Sequence, residues 1–70
     1  MDILQIRNLS DKDIRTEIDN SQRELMNLRF RLSTRQMENY QELKKVKKTI
    51  ARLKTVIRER EIIMEIQNGS

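Results

Sequence analysis

Apolar residues recur at alternating spacings of three and four over two stretches of the chain. The first stretch contains Ile14, Ile18, Leu25, Leu28 and Leu32, with the polar Ser21 in the same register. The second contains Leu43, Val46, Ile50, Leu53 and Ile57, is interrupted at Arg60 and resumes at Met64. This spacing places each series on one side of an α-helix. The pattern therefore predicts two amphipathic helices, each with a narrow apolar seam of the coiled-coil kind.

Local signals indicate where both helices begin. Ser10 is a candidate N-cap with Asp13 three residues on, which is a variant of the capping box. Leu9 and Ile14 occupy the positions of a hydrophobic staple around that cap. Asn39 with Glu42 gives a similar signal for the second helix.

The segment "STRQMEN" at 33–39 separates the two seams. Its Ser, Thr and Asn side chains favour local hydrogen bonds to the backbone over a continuing helix, and the seam loses its phase there. We therefore predict an all-α fold, an antiparallel two-helix hairpin (a long coiled-coil-like pair) with a short N-terminal segment or helix. The predicted single domain covers about 1–66, with helices at about 10–34 and 40–65, a hinge at about 35–39 and a frayed tail at 67–70. The alternative is one unbroken helix that dimerises.

Length and composition exclude several classes of protein. A chain of 70 residues buries only a thin core, and without Cys or His it lacks disulfides and the usual zinc or haem ligands. We expect no catalytic site, cofactor or metal. The N-terminus resembles no signal peptide and no apolar run is long enough to span a membrane, so we expect a soluble, intracellular protein. The free protein should be only marginally stable, which indicates a partner.

Positive charge is concentrated at the start of the second helix. The chain has a net charge of +4, yet residues 44–58 include seven basic residues and no acidic one. On a helical wheel Lys45, Lys48, Arg52 and Thr55 fall within about 80°, opposite the apolar seam, with Ala51 leaving room beside them. A solvated face normally mixes charges, so the pattern favours contact with a polyanion such as nucleic acid. A merely solvated face on a helical protein–protein adaptor, and a membrane-surface helix, are the alternatives.

Two further apolar groups exceed what one partner helix can cover. Met26 and Phe30 lie away from the first seam, where either the N-terminal segment (Ile3, Leu4, Ile6, Leu9) covers them or another protein does. We slightly favour the N-terminal segment. Ile62, Ile63 and Ile66 indicate a further protein contact or a frayed apolar end.

Several motifs resemble the bacterial-type large-subunit ribosomal protein twenty-nine family. They are Leu28-Arg29 late in the first helix, Gln36 near the hinge, and the run "VKKTIARLKTVIRERE" at 46–61. The "LSDKDI" start at 9–14 also fits, and the resemblance covers about residues 3–61. The chain departs from the family at Lys47-Lys48, where two arginines are common, and at Arg35, where many members have glycine.

The resemblance implies a helical hairpin that acts as a structural constituent of the large ribosomal subunit. It implies binding to ribosomal RNA near the polypeptide exit tunnel, beside ribosomal protein twenty-three, in a region where nascent-chain factors dock. The protein would lie in cytoplasmic ribosomes, although the sequence also allows an organellar ribosome. The predicted RNA-binding residues are Arg29, Arg31, Arg35, Gln36, Lys44, Lys45, Lys47, Lys48, Arg52, Lys54, Thr55, Arg58 and Arg60. The predicted protein contacts are Met26, Phe30, Ile62, Ile63 and Ile66.

Overall fold

Three helices account for most of the residues that the computed structural model describes, which are 2–36 and 39–69. Helix α1 covers Ile3–Arg7, α2 covers Asp11–Ser33 and α3 covers Gln41–Gly69. Helices α2 and α3 pack against each other along an elongated body of 53 × 19 × 16 Å, and α1 packs on α3. The predicted all-α hairpin with a short N-terminal helix is thus confirmed. Hinge residues 37 and 38 lie outside the described residues.

The helices begin at polar side chains that satisfy free backbone amides. The Ser10 hydroxyl accepts a hydrogen bond from the Asp13 amide at 3.1 Å, which is the predicted N-cap of α2. At α1, the Asp2 amide donates to Gln5 Oε1 at 3.1 Å. Before α3, Asn39 Oδ1 accepts from the Gln41 amide at 2.9 Å. These local bonds fix where the chain enters each helix.

The end of α2 adopts the arrangement known as a Schellman motif. The Gln36 amide donates to the Arg31 carbonyl at 2.8 Å, and the Arg35 amide donates to the Leu32 carbonyl at 3.2 Å. This geometry requires a left-handed residue at Arg35, whose φ is +59°. Glycine adopts that conformation without the steric cost that a Cβ atom adds. Arg35 therefore starts the hinge in a strained conformation.

The core consists of two apolar clusters between the helices. Near the hinge, Leu28 packs with Val46 and Ile50, flanked by the half-buried Leu25 and Leu43. At the other end, which we call the open end, the buried residues are Ile6, Ile14, Leu53 and Val56. Val56 lies outside the predicted seam, and it is buried because α1 covers a second side of α3. Ser21 is buried in the seam, as its place in the pattern predicts.

Helix α1 closes the open end of the hairpin and does not reach the middle of α2. Ile6 is fully buried against Ile14 and Leu53, with Ile3 and Leu9 packed around them. Met26 and Phe30 stay 71% and 61% exposed. The preference for an N-terminal segment covering these two residues was therefore wrong. The physical reason is that Ile6 holds α1 at the open end, where it packs with Ile14, Leu53 and Val56.

Helix α3 continues past the start of α2. We expected helical structure to fade between residues 65 and 69, but the helix runs to Gly69. No proline or earlier glycine interrupts its backbone hydrogen bonds. Met64 was expected to resume the seam. It is exposed because it lies beyond the first residue of α2, so no part of α2 faces it. The last two turns of α3, residues 62–69, therefore project beyond α2, and we call them the overhang.

We expect Arg35→Gly to stabilise the free protein by roughly 0.5–1 kcal/mol, because glycine removes the left-handed strain at the end of α2. Thermal unfolding followed by circular dichroism measures this change. Arg31→Gly is the matched control: it removes the same charge but places glycine within the helix, which should destabilise the protein by about 1 kcal/mol. Equal destabilisation by both variants would contradict the strain at Arg35.

We expect Leu53→Ala to destabilise the protein by about 2–5 kcal/mol, because the fully buried side chain would leave a cavity at the open end. In so thin a core this loss should abolish cooperative unfolding, measured as helicity against temperature. Ile63→Ala, which removes a half-exposed side chain, should shift stability by less than about 0.5 kcal/mol. A cooperative transition retained in the Leu53 variant would contradict the assigned core.

Candidate nucleic-acid interface

One side of α3 faces away from both other helices. We call it the outward face; it comprises Lys44, Lys45, Lys48, Ala51, Arg52, Thr55 and Arg58. All seven residues are exposed. Because the opposite side of the helix holds the buried Val46, Ile50 and Leu53, packing of the seam fixes the direction in which these charges point. The helical pattern thus becomes a straight basic stripe about 20 Å long, at 1.5 Å per residue.

Some of these charges have partners within the protein, Arg52 among them. Lys45 Nζ lies 3.5 Å from Glu42 Oε1, and Arg58 Nη1 lies 3.4 Å from Glu61 Oε2. Among the described residues, no carboxylate oxygen lies within 4.0 Å of Lys44, Lys47, Lys48 or Lys54. Lys47 and Lys54 flank the stripe and are exposed as well. The ammonium groups of Lys44 and Lys48 on this face, and of Lys47 and Lys54 beside it, are therefore available to an external anion.

Thr55 already uses its hydroxyl proton within the helix. Its Oγ1 donates to the Ala51 carbonyl at 2.8 Å. A phosphate oxygen is only an acceptor, so Thr55 would have to break this bond to donate to it. In its present conformation the hydroxyl can accept a hydrogen bond, for example from a ribose 2′-hydroxyl. The structure thereby changes the role that Thr55 could have on an RNA backbone.

A second basic group lies where α2 meets the hinge. Arg29, Arg31, Arg35 and Gln36 are all exposed there. The hinge brings them to the same end of the molecule as the first turns of α3. Residues 18–54, which form this half of the hairpin, include ten basic and four acidic residues, whereas the remainder includes five basic and seven acidic ones. The hairpin is therefore electrostatically polarised, with its hinge half positive.

Arg60 differs from the other predicted binding residues because it links the three helices. Its guanidinium lies 2.6 Å from Asp11 Oδ1 at the start of α2 and donates to the Arg7 carbonyl at the end of α1, at 3.1 Å. The side chain is 29% exposed. Arg7 also pairs with Glu59, and Arg15 pairs with Glu61. Arg60 occupies a seam position in the sequence pattern, and that position was a signal that its side chain points towards the other helices.

The predicted protein-contact residues form two separate exposed groups. Met26 and Phe30 lie on α2, in the positive half of the molecule. Ile62, Ile63 and Ile66 lie on the overhang of α3. The structure does not bring the two groups together, because α2 and α3 place them towards opposite ends of the hairpin.

A rigid rod with one basic stripe suits the binding of phosphates. Lysine and arginine contacts to phosphates position a protein on nucleic acid without reading its sequence. Within residues 2–36 and 39–69, no cluster of carboxylates could hold a metal ion, and no helix is long and apolar enough to cross a membrane. The exposed lysines and arginines of the outward face are themselves what favours contact with a polyanion.

Comparison with known proteins identifies a class of ribosomal proteins. The model of the ribosomal L29 protein family matches residues 5–60. The large ribosomal subunit protein uL29 of Finegoldia magna is 55% identical over 58 residues, which cover 83% of this chain and 85% of the relative. The corresponding protein of Dehalococcoides mccartyi is 52% identical over 62 residues, covering 89% and 95%. That of Staphylococcus aureus is 53% identical over 58 residues, covering 83% and 84%.

The chain belongs to the ribosomal L29 protein family. The family resemblance drawn from the motifs around Leu28-Arg29 and residues 46–61 is thereby confirmed. Proteins of this family are structural and non-enzymatic, in agreement with the prediction that the chain is not an enzyme.

We expect Arg60→Ala and Asp11→Ala to show a coupling of about 0.2–1 kcal/mol in a double-mutant cycle, because their exposed ion pair links α3 to α2. Urea unfolding at low salt measures the coupling, which should shrink at high salt. Arg31→Ala with Asp11→Ala is the control pair and should be additive. A coupling of zero at low salt would contradict the link at Arg60.

Proposed function

We propose that this ribosomal protein is a structural constituent of the large ribosomal subunit that binds ribosomal RNA through the outward face of α3. The observation that supports this most directly is the stripe of exposed cations on that face, where Lys44 and Lys48 have no carboxylate of the described residues within 4.0 Å. The large-subunit assignment of its relatives agrees with it. In this proposal the protein works in the cytoplasm as part of the ribosome.

The roles of individual residues follow from their positions. Lys44, Lys45, Lys48, Arg52 and Arg58 contact phosphates along about 20 Å of the outward face, with Lys47 and Lys54 at its edge. Arg29, Arg31, Arg35 and Gln36 extend the contact around the hinge, and Thr55 contacts the RNA backbone. We assign Arg60 to the fold rather than to the interface, since its guanidinium already binds Asp11 and the Arg7 carbonyl.

Ala51 gives this surface its shape. It is the only alanine of the chain and lies within the basic stripe, where a larger side chain would hold the RNA backbone away. A small residue among cations lets the sugar–phosphate backbone of RNA approach the helix closely. Such contacts recognise the shape of a structured RNA rather than its base sequence. Binding neutralises phosphates, releases counterions and so weakens as salt rises.

The position within the subunit is proposed from the family resemblance. We propose that the protein lies near the polypeptide exit tunnel, beside ribosomal protein twenty-three, where nascent-chain factors dock. The exposed Met26 and Phe30, together with Ile62, Ile63 and Ile66, provide apolar surface for such protein neighbours.

Sedimentation of the tagged full chain from a cell lysate, at low and high salt, tests the proposal. We expect migration with the large subunit at low salt and release as salt rises. A chain that stays at the top of the gradient at low salt would support the helical protein–protein adaptor instead. Association driven by the apolar seam should be little affected or strengthened by salt.

We expect Lys44→Ala with Lys48→Ala to weaken binding to large-subunit ribosomal RNA and to reduce the slope of log K against log salt by about 1.5, roughly 0.7–0.9 for each lost phosphate contact. Filter binding over a salt series measures this. Lys12→Ala is the control: it removes an exposed charge on α2 at the open end and should leave the slope unchanged. Equal effects of both substitutions would indicate nonspecific electrostatics rather than the outward face.

A further inference from the structure

The outward face changes its chemistry abruptly towards the end of α3. On the helical wheel, Ile62 and Ile66 fall within about 40° of Lys44 and Lys48, so they continue the same line along the helix. From Lys44 to Arg58 that line is basic, whereas beyond Arg58 it is formed by exposed isoleucines with Glu59 and Glu65 on either side. Two chemically different surfaces thus meet end to end on one helix.

Within the part of the chain that the structure describes, no element covers the isoleucine surface. Helix α2 begins at Asp11, which lies opposite Arg60, so α3 projects beyond its partner for about two turns. Ile66 is 66% exposed and Ile63 is 54% exposed. A helical end with this much exposed apolar area is marginal in water by itself.

The overhang offers little to an RNA phosphate. The arginines nearest to it already lie within 4.0 Å of carboxylates: Arg7 with Glu59, Arg15 and Arg58 with Glu61, and Arg60 with Asp11. Among the described residues no cation lies within 4.0 Å of Glu65. A phosphate placed here would meet unpaired negative charge and apolar side chains.

We infer that the outward face spans a boundary between RNA and protein, and that Ile62, Ile63 and Ile66 dock a basic protein of the same particle. The partner presents apolar side chains to the isoleucines and a lysine or arginine to Glu65, the overhang carboxylate that no cation of the described residues approaches within 4.0 Å. Glu65 provides the charge complementarity, which selects a basic protein. The proposed RNA surface ends one turn earlier, so the second interface is continuous with the first.

A membrane surface and a second copy of this chain fit the overhang less well. Anionic lipid attracts amphipathic helices whose polar face is basic, whereas the isoleucines here have acidic neighbours. A second copy of this chain could complement the acidic charge of the overhang only with its basic outward face. In the proposed function RNA already covers that face. The inference therefore depends on the proposed function for the placement of the chain in the particle.

Site-specific photocrosslinking of the full chain in assembled large subunits tests the inference. A benzophenone amino acid replaces Ile66 in one variant and Lys48 in another, and nuclease and protease digestion then identify each adduct. We expect the adduct at 66 to be a protein segment rich in lysine and arginine, and the adduct at 48 to be RNA. An RNA adduct, a second copy of this chain, an acidic protein segment or no adduct at 66 overturns the inference.

The same experiment separates the two proposals. If neither the unsubstituted chain nor the variant at 66 enters the large subunit, although both remain helical by circular dichroism, the proposed function fails. If they enter and position 66 gives no basic protein adduct, the docking inference alone fails.

Charge reversal tests the role of the acidic residues. Glu65→Lys in the benzophenone variant at 66 should reduce the yield of the protein adduct severalfold, because the new cation repels a basic partner. Glu24→Lys is the matched control, since it makes the same charge change at an exposed site on α2 and should leave the yield unchanged. Equal yields of the protein adduct from the benzophenone variant at 66, with and without Glu65→Lys or Glu24→Lys, would show that charge does not select the partner.

Discussion

The packing of α2 against α3 is the interaction on which the rest of the structure depends. Leu53 is fully buried against Ile14 at the open end, and Leu28 packs with Val46 and Ile50 near the hinge. Each helix alone would leave its apolar seam in water, and amphipathic helices in proteins owe most of their stability to the packing of that face. Because the seam selects one side of α3, it also decides that the opposite side faces outward with its cations. The basic stripe is therefore a consequence of apolar packing as much as of charge.

The distribution of charge separates the two ends of the hairpin. Near the hinge and along the outward face, several lysines have no carboxylate of the described residues within 4.0 Å. At the open end, ion pairs between Arg60 and Asp11 and between Arg7 and Glu59 connect residues about fifty positions apart. Like charges along α3 repel one another until a polyanion neutralises them. A polyanion that binds this face would therefore stabilise the folded protein.

The residues matched by the family model lie in the part of the chain that forms the hairpin. The family match covers residues 5–60, which include the last three residues of α1, all of α2 and the whole basic stripe, but not the overhang. The matched residues are those that the hairpin uses to build its core and outward face. The overhang has its own chemistry of isoleucines and acidic residues, for which a separate partner gives a physical reason.

The sequence by itself determined the two helices, their seams and the cap at Ser10, because these depend on residues three or four positions apart. It also determined the basic outward face, since the period of one helix places Lys44, Lys48 and Arg52 opposite the seam. The structure alone decided that Val56 is buried, that Met26 and Phe30 stay exposed, and that Arg60 binds Asp11 and the Arg7 carbonyl. It also decided that Arg35 is left-handed. Local periodicity describes one helix at a time, whereas these features depend on where α1 docks, how far α2 extends along α3 and how the chain leaves α2 for the hinge.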